Sequence, residues 1–160
     1  MLLWFVGGAL AIAWMVFHDP GIDYRVLLLG VLLPDLVDPF FGGARLLHTL
    51  TFSVVLLVVV VLSTMGRRAA RKRWIFLPIG TLLHLVLDFA FASTSVFWWP
   101  FTGLSFDDEP LPSVERGWWS LLLELAGAAL LVWFWRRFRL GDPARRRRFV
   151  RTGQLDPALA

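Results

Sequence analysis

Five long apolar runs, each broken by a short polar or proline- and glycine-containing segment, set the pattern of this chain. Met1 to Phe17 is apolar throughout, and HDPGIDYR at residues 18–25 breaks it with Pro20 and Gly21. A second run opens at Tyr24 and closes at Pro39. Pro34 within it removes a backbone hydrogen bond, so a short, kinked helix is expected over 24–39. FFGGAR at 40–45 reads as a tight connection, and LLHTLTFSVVLLVVVVLSTM at 46–65 as a third helix. Two more helices are expected over 74–91 and 118–138, separated by a proline-containing segment at 92–117. The polar tail from residue 140 is not expected to fold as a domain.

Composition decides the solvent. With 58% apolar and 18% charged residues and a mean hydropathy of +0.67, the 160-residue chain lies outside the soluble range. The expected fold class is all-α: a polytopic transmembrane helix bundle of about five membrane helices. Residues 1–139 form the transmembrane domain in this reading, and 140–160 a basic cytoplasmic tail. The first run lacks the basic start and small-residue cleavage site of a secretory signal, so it reads as a retained membrane helix. The absence of cysteine excludes disulfides, thiolate nucleophiles and cysteine metal sites.

Charge then orients the bundle. GRRAARKR at 66–73 holds five positive charges, and Arg136 to Arg151 holds eight more. The positive-inside rule puts both on the cytoplasmic side and the N-terminus outside, which leaves only Arg45 and Arg116 among the basic residues outside. Trp14, Trp74, Trp133 and Trp135 then fall at inner ends, and Trp4, Trp98, Trp99, Trp118 and Trp119 at outer ends, as two aromatic belts. The arginine run beside a membrane helix suits anionic lipid, with nucleic acid the weaker reading. Fifteen arginines to one lysine fit the coding bias of a GC-rich bacterium, and the expected location is a bacterial inner membrane.

Polar residues inside the apolar runs mark the candidate chemistry, because a carboxylate at mid-helix in lipid costs roughly 2.5 to 3.5 kcal/mol on insertion scales. His84 and Asp88 are four apart, about 400° of helical rotation, and so share a face. Asp35 and Asp38 lie three apart around Pro34, and His48 stands near the start of the third helix. In the five-helix topology all five residues fall in the outer halves or at the outer ends of three helices. His84 lies about two helical turns deeper than His48, an offset that tilt or a water-filled funnel would absorb. Two imidazoles with up to three carboxylates suit a divalent cation, zinc ahead of manganese or iron, which would activate water. The competing reading is a metal-free His–carboxylate clamp between helices.

These residues resemble a known family. LPDLVD at 33–38, LHTLTFS at 47–53 and GTLLHLVLD at 80–88 are similar to the membrane-bound metal-dependent hydrolases, also described as LexA-binding, inner-membrane-associated hydrolases. The resemblance covers about residues 24–100. It implies a multi-pass bacterial protein in which Asp35, Asp38, His48, His84 and Asp88 are metal ligands. Asp35 and Asp88 are the candidates for a catalytic role as well. The family's first His would fall near Gly43 or Ala44 and is missing, and Thr49 replaces the Ser after the second.

Outside that core, Phe97, Trp98, Trp99 and Phe101 suggest an aromatic anchor at headgroup level, or a lid, and Asp107, Asp108 and Glu109 a solvated acidic run. Glu124 is expected to pair with His48 or His84, or to support them. The functional expectation is a metal-dependent hydrolase acting on an ester or phosphoester of a lipid or envelope component. The alternatives are a non-enzymatic scaffold or accessory subunit, and an ion or proton pathway.

Overall fold

The computed structural model describes residues 1–41, 45–92, 94–105 and 117–159, and all regular structure among them is helical. The elements are α1 (Leu2–Phe17), α2 (Tyr24–Val37), α3 (Leu50–Ser63), α4 (Arg68–Trp74), α5 (Phe76–Leu87), α6 (Thr94–Phe97), α7 (Trp119–Arg137) and α8 (Pro143–Thr152). Short 3₁₀ turns occupy Asp38–Phe41, Leu46–His48, Ala90–Ala92 and Pro157–Leu159.

Local capping sets several boundaries inside the expected runs. Thr49 takes an extended conformation and its Oγ1 accepts the Phe52 N–H at 3.0 Å, so α3 starts at Leu50 and not at residue 46. The α2 helix passes through Pro34 and ends at Val37, ahead of Pro39. At the far end of α5, Asp88 is the C-cap and Phe89 adopts a left-handed φ of 51°, which stops the helix at Leu87. His84 is therefore one turn from the helix end, and the two-turn offset expected between His48 and His84 disappears.

The tail differs most from expectation. Asp142 Oδ1 accepts the Ala144 N–H at 2.7 Å, Pro143 occupies the first turn, and Gly153 closes the helix at φ 74°, so Pro143–Thr152 is a capped helix. Beyond it the chain returns to the body: Gly153 C=O accepts from Tyr24 N–H at 3.0 Å, and Leu155 N–H donates to Pro20 C=O at 3.0 Å.

Close approach of backbones organises the rest. A Cβ on Gly30 would overlap the Leu77 carbonyl, and one on Gly80 the Leu27 carbonyl, so α2 and α5 cross with nothing between them. Gly7 and Gly127 make the same kind of contact between α1 and α7. Phe5, Leu10 and Trp14 of α1 pack with Tyr24, Leu27 and Val31 of α2, Phe76 and Leu87 of α5, and Phe134 beyond them, as one core.

Among the described residues, α7 alone is long and apolar enough to cross a membrane; α1 and α3 are apolar but shorter. At 12 to 14 residues, α2, α3 and α5 run about 18–21 Å, short of a hydrocarbon core of about 30 Å. The apolar surface is turned outward on two of these helices. Just 11% of the apolar window of α7 is buried, and α3 buries only Ser53 and Val60 while Val54, Val55, Val58, Val59 and Leu62 are exposed. The basic segments at 66–73 and 136–151 lie at the helix ends opposite Asp35, Asp38, His48 and His84.

Candidate metal centre

The α2–α5 crossing positions the site. Both helices run in the same direction, and one turn beyond Gly30 and Gly80 they present Asp35 and His84 to each other. The Leu46–His48 turn brings in His48 from the other side. His48 Nε2 lies 3.3 Å from His84 Nε2 and 3.5 Å from Asp35 Oδ1, and His84 Nε2 lies 3.6 Å from the same oxygen. A triangle with these sides has its centre about 2.0 Å from each corner, the length of zinc–nitrogen and zinc–oxygen bonds. Two nitrogens and one oxygen thus fit one divalent cation with a coordination position to spare, and the donor set leaves the metal's identity open.

Asp38 sits behind His48. Its Oδ2 accepts the Nδ1–H of His48 at 2.7 Å and the backbone N–H groups of Arg45 and Leu47 at 2.9 and 3.1 Å. This contact assigns the His48 tautomer: the proton is on Nδ1, and the Nε2 lone pair faces Asp35 and His84. Asp38, expected as a ligand, lies outside the three-residue cluster and instead fixes the orientation of the His48 ring. It can do so because Pro39 follows it and the chain leaves α2 in a 3₁₀ turn.

His84 is held differently. Phe5 of α1 stacks on its ring, with centroids 4.4 Å apart and planes at 25°. Its Nδ1 is buried and closes no hydrogen bond of good geometry, with the Val31 backbone beside it. With the His84 proton on Nδ1, two imidazole lone pairs and a carboxylate oxygen converge with no hydrogen between them, an arrangement that requires a cation. With the proton on Nε2, His84 donates to His48 or Asp35 instead, and the cluster is a clamp.

Asp88 is the expected ligand that the fold takes elsewhere. It is buried as the C-cap of α5, its N–H donating to His84 C=O at 2.8 Å, and it is outside the three-residue cluster, as is the catalytic role read for it. Glu124 does not reach either imidazole; its Oε2 accepts the Leu3 N–H at 2.8 Å and its Oε1 lies 3.5 Å from the Met1 amino group.

Both imidazoles are buried, while the Asp35 side chain is 26% exposed and gives the cluster its contact with the surroundings. Phe40, Phe41, Phe89 and Phe91 are exposed on the turns around this end. Thr51 Oγ1 donates to Trp99 C=O at 2.6 Å and ties the 94–105 segment to the start of α3. Trp98 is exposed. Gly43 and Ala44, where the missing family His would stand, and Asp107, Asp108 and Glu109 lie outside the described residues.

Comparison with family models, curated proteins and solved structures finds no match.

Proposed function

We propose that this protein is a membrane-embedded, metal-dependent hydrolase whose centre is Asp35, His48 and His84, acting on an ester or phosphoester of a lipid or envelope component. The observation that carries the reading is the convergence of three donor atoms at mutual distances of 3.3, 3.5 and 3.6 Å, backed by the Asp38 bond that aims His48. A divalent cation held there supplies Lewis-acid chemistry, polarising a carbonyl or phosphoryl oxygen and acidifying water. Asp38 fixes the His48 ring, Phe5 fixes the His84 ring, and Asp35 faces the accessible side. Asp35 would hold the cation together with His48 and His84, and its carboxylate, on the accessible side, would be the group to accept a proton.

The bundle reading rests on the outward-facing apolar residues of α3 and α7 and on the segregation of basic residues to the end opposite the site. In a bacterial inner membrane this gives a multi-pass protein with residues 66–73 and 140–160 cytoplasmic and the His/Asp cluster near the outer surface. A lipid or envelope substrate then meets Asp35 at headgroup level. The resemblance of 33–38, 47–53 and 80–88 to membrane-bound metal-dependent hydrolases supports the same conclusion.

Purified protein, stripped with chelator and reloaded with zinc, manganese or iron(II), is to be assayed against a panel of phospholipid and simple phosphoester substrates. Metal-dependent turnover that His84→Ala abolishes supports the hydrolase. A second reading, a non-enzymatic scaffold whose cluster locks α2 to α5, draws on the same 3.3 Å imidazole contact as a hydrogen bond. It predicts no turnover and no metal dependence. Single cysteines read the topology: position 70 should label only from inside, and labelling from outside would reverse the arrangement.

A further inference from the structure

The end of the molecule opposite the metal centre carries a second built surface. The α8 helix is fixed to the body along one face. Phe149 packs between Tyr24 and Phe134, with ring centroids 6.1 and 6.0 Å away, and the Arg25 guanidinium donates to the Val150 and Arg151 carbonyls at the helix C-terminus. Arg145 pairs with Asp156 at 3.0 Å. Arg147 and Arg151 stand two residues either side of Phe149, about 200° round the helix, and so face away from the body. With Arg148, Ala144 and Thr152 they line a shallow, open surface of that helix; none of the three arginines closes a salt bridge among the described residues, and Arg148 lies within electrostatic reach of Asp156.

A second shallow, open surface lies along α7 where it ends. Ala129, Val132 and Trp133 make its apolar part, and Arg136 and Arg137 bound it at the end nearest α8. The spacing 129, 132, 133, 136 is one helix face, so an apolar stripe runs along the helix into a guanidinium. Arg137 is occupied, donating to Leu159 C=O at 3.0 Å, and Arg136 is exposed. A stripe that is apolar along its length and cationic at its end matches an acyl chain leading to a phosphate.

We infer that the α7–α8 exit is a binding site for anionic phospholipid, with an acyl chain along Ala129, Val132 and Trp133, its phosphate at Arg136, and further headgroups on Arg147, Arg148 and Arg151. Guanidinium groups pair with phosphate bidentately, which favours arginine over lysine for the task. Five residues separate α7 from α8, and the reversal is held by buried Phe138 and Leu140, so the arginine face stays close to where α7 leaves the bilayer. Attraction to an anionic surface fades within a Debye length, about 10 Å at 0.1 M salt, and a surface held at the exit stays in range. The apolar stripe is the feature that favours a lipid over a nucleic acid. The site rests on α7 lying in a bilayer, as in the function proposed above, but not on the metal centre.

The test uses the full chain in detergent, with dioleoyl phosphatidylglycerol and dioleoyl phosphatidylcholine as competing probes and native mass spectrometry as readout. At about fivefold per arginine near the surface, wild-type protein should prefer the anionic lipid on the order of 100-fold, less at high salt. The triple variant R147Q/R148Q/R151Q should lose most of that preference, and Arg136→Gln should weaken binding of the first lipid. R147K/R148K/R151K, which keeps the charge, should retain most of the preference. Equal binding of the two lipids by the wild type, or a preference untouched by the glutamine variants, overturns the site. Displacement of bound phosphatidylglycerol by an oligonucleotide of equal charge would overturn it in favour of nucleic acid. Reconstitution into phosphatidylcholine vesicles with a carbonate wash separates the two readings: release of the protein defeats both, whereas retention without a lipid preference defeats this one alone.

Discussion

Asp38→Asn isolates the aiming of His48 from the ligands themselves. In the native protein a single carboxylate oxygen accepts three donors, the His48 Nδ1–H at 2.7 Å and the Arg45 and Leu47 amides at 2.9 and 3.1 Å. The amide oxygen can stand in for that oxygen, but it is neutral, and the NH2 group that replaces Oδ1 turns a donor toward the Leu47 N–H, 3.4 Å from Oδ1 in the native protein. Exchanging a charge-assisted hydrogen bond for a neutral one costs about 1–2 kcal/mol. If that loss falls on the orientation of His48, it corresponds to about 10-fold in metal affinity, the lower end of the range seen when the partner of a metal-bound imidazole is removed. Competition with a chromophoric chelator measures the affinity, and chelator-treated thermal unfolding measures the fold separately. An Asp38→Asn protein that binds metal as tightly as the wild type would refute the positioning role and return Asp38 to a purely structural turn.

Three further outcomes follow from other parts of the fold. Gly80→Ala should destabilise the protein by about 1–3 kcal/mol or more, since its Cβ meets backbone atoms of Leu27, Gly30 and Val31 that cannot move aside; a melting temperature within a degree of the wild type would contradict the close crossing. Phe5→Leu keeps most of the apolar volume but removes the stack on His84, and metal affinity should fall more than stability does; equal metal affinity in both proteins would show that the stack does not position the ring. At the opposite end, the Lys72 hydrogen bond holds the Asp19 carboxyl below its ordinary value. Burial pushes Asp23 up, but Arg25 and Arg73 outweigh it and hold that carboxyl low too. Their stabilisation is fully present above the ordinary carboxylate value of about 4 and is lost as pH falls through the lowered ones, so protection of the Tyr24 and Leu155 amides from hydrogen exchange should drop only in acid. Loss of protection already between pH 7 and 5 would contradict this.

The convergence of Asp35, His48 and His84 was legible because each stands as an isolated polar residue in an apolar run, and three such residues from separate runs have few reasons to be there other than one another. Which carboxylates would join them was not. Asp35 and Asp38 look equivalent by spacing, yet Pro39 turns the chain after Asp38 and sends it behind His48. Asp88 looked like the partner of His84 and does follow it by one helical turn, as the C-cap of α5, yet the three donors that converge are Asp35, His48 and His84. Phe5 carried no signal at all, since a phenylalanine in a uniformly apolar run says nothing about what it touches. The α8 helix, by contrast, was signalled: Asp142 before Pro143 and Gly153 ten residues later are cap residues at helical spacing, outweighed in the reading by the polar composition between them. Gly30 and Gly80 were equally visible, but which glycine meets which backbone is a tertiary fact.

The most direct measurement is the metal content of the purified protein, by elemental mass spectrometry, for wild type and His84→Ala. About one divalent ion per wild-type chain is expected, released by chelator with a fall in melting temperature, and near-zero occupancy in the variant, because two imidazoles and one carboxylate are the donor set among the described residues. A wild-type protein that carries no metal after loading and is indifferent to chelator, while His84→Ala merely melts earlier, would contradict it and leave the cluster as a clamp between α2 and α5.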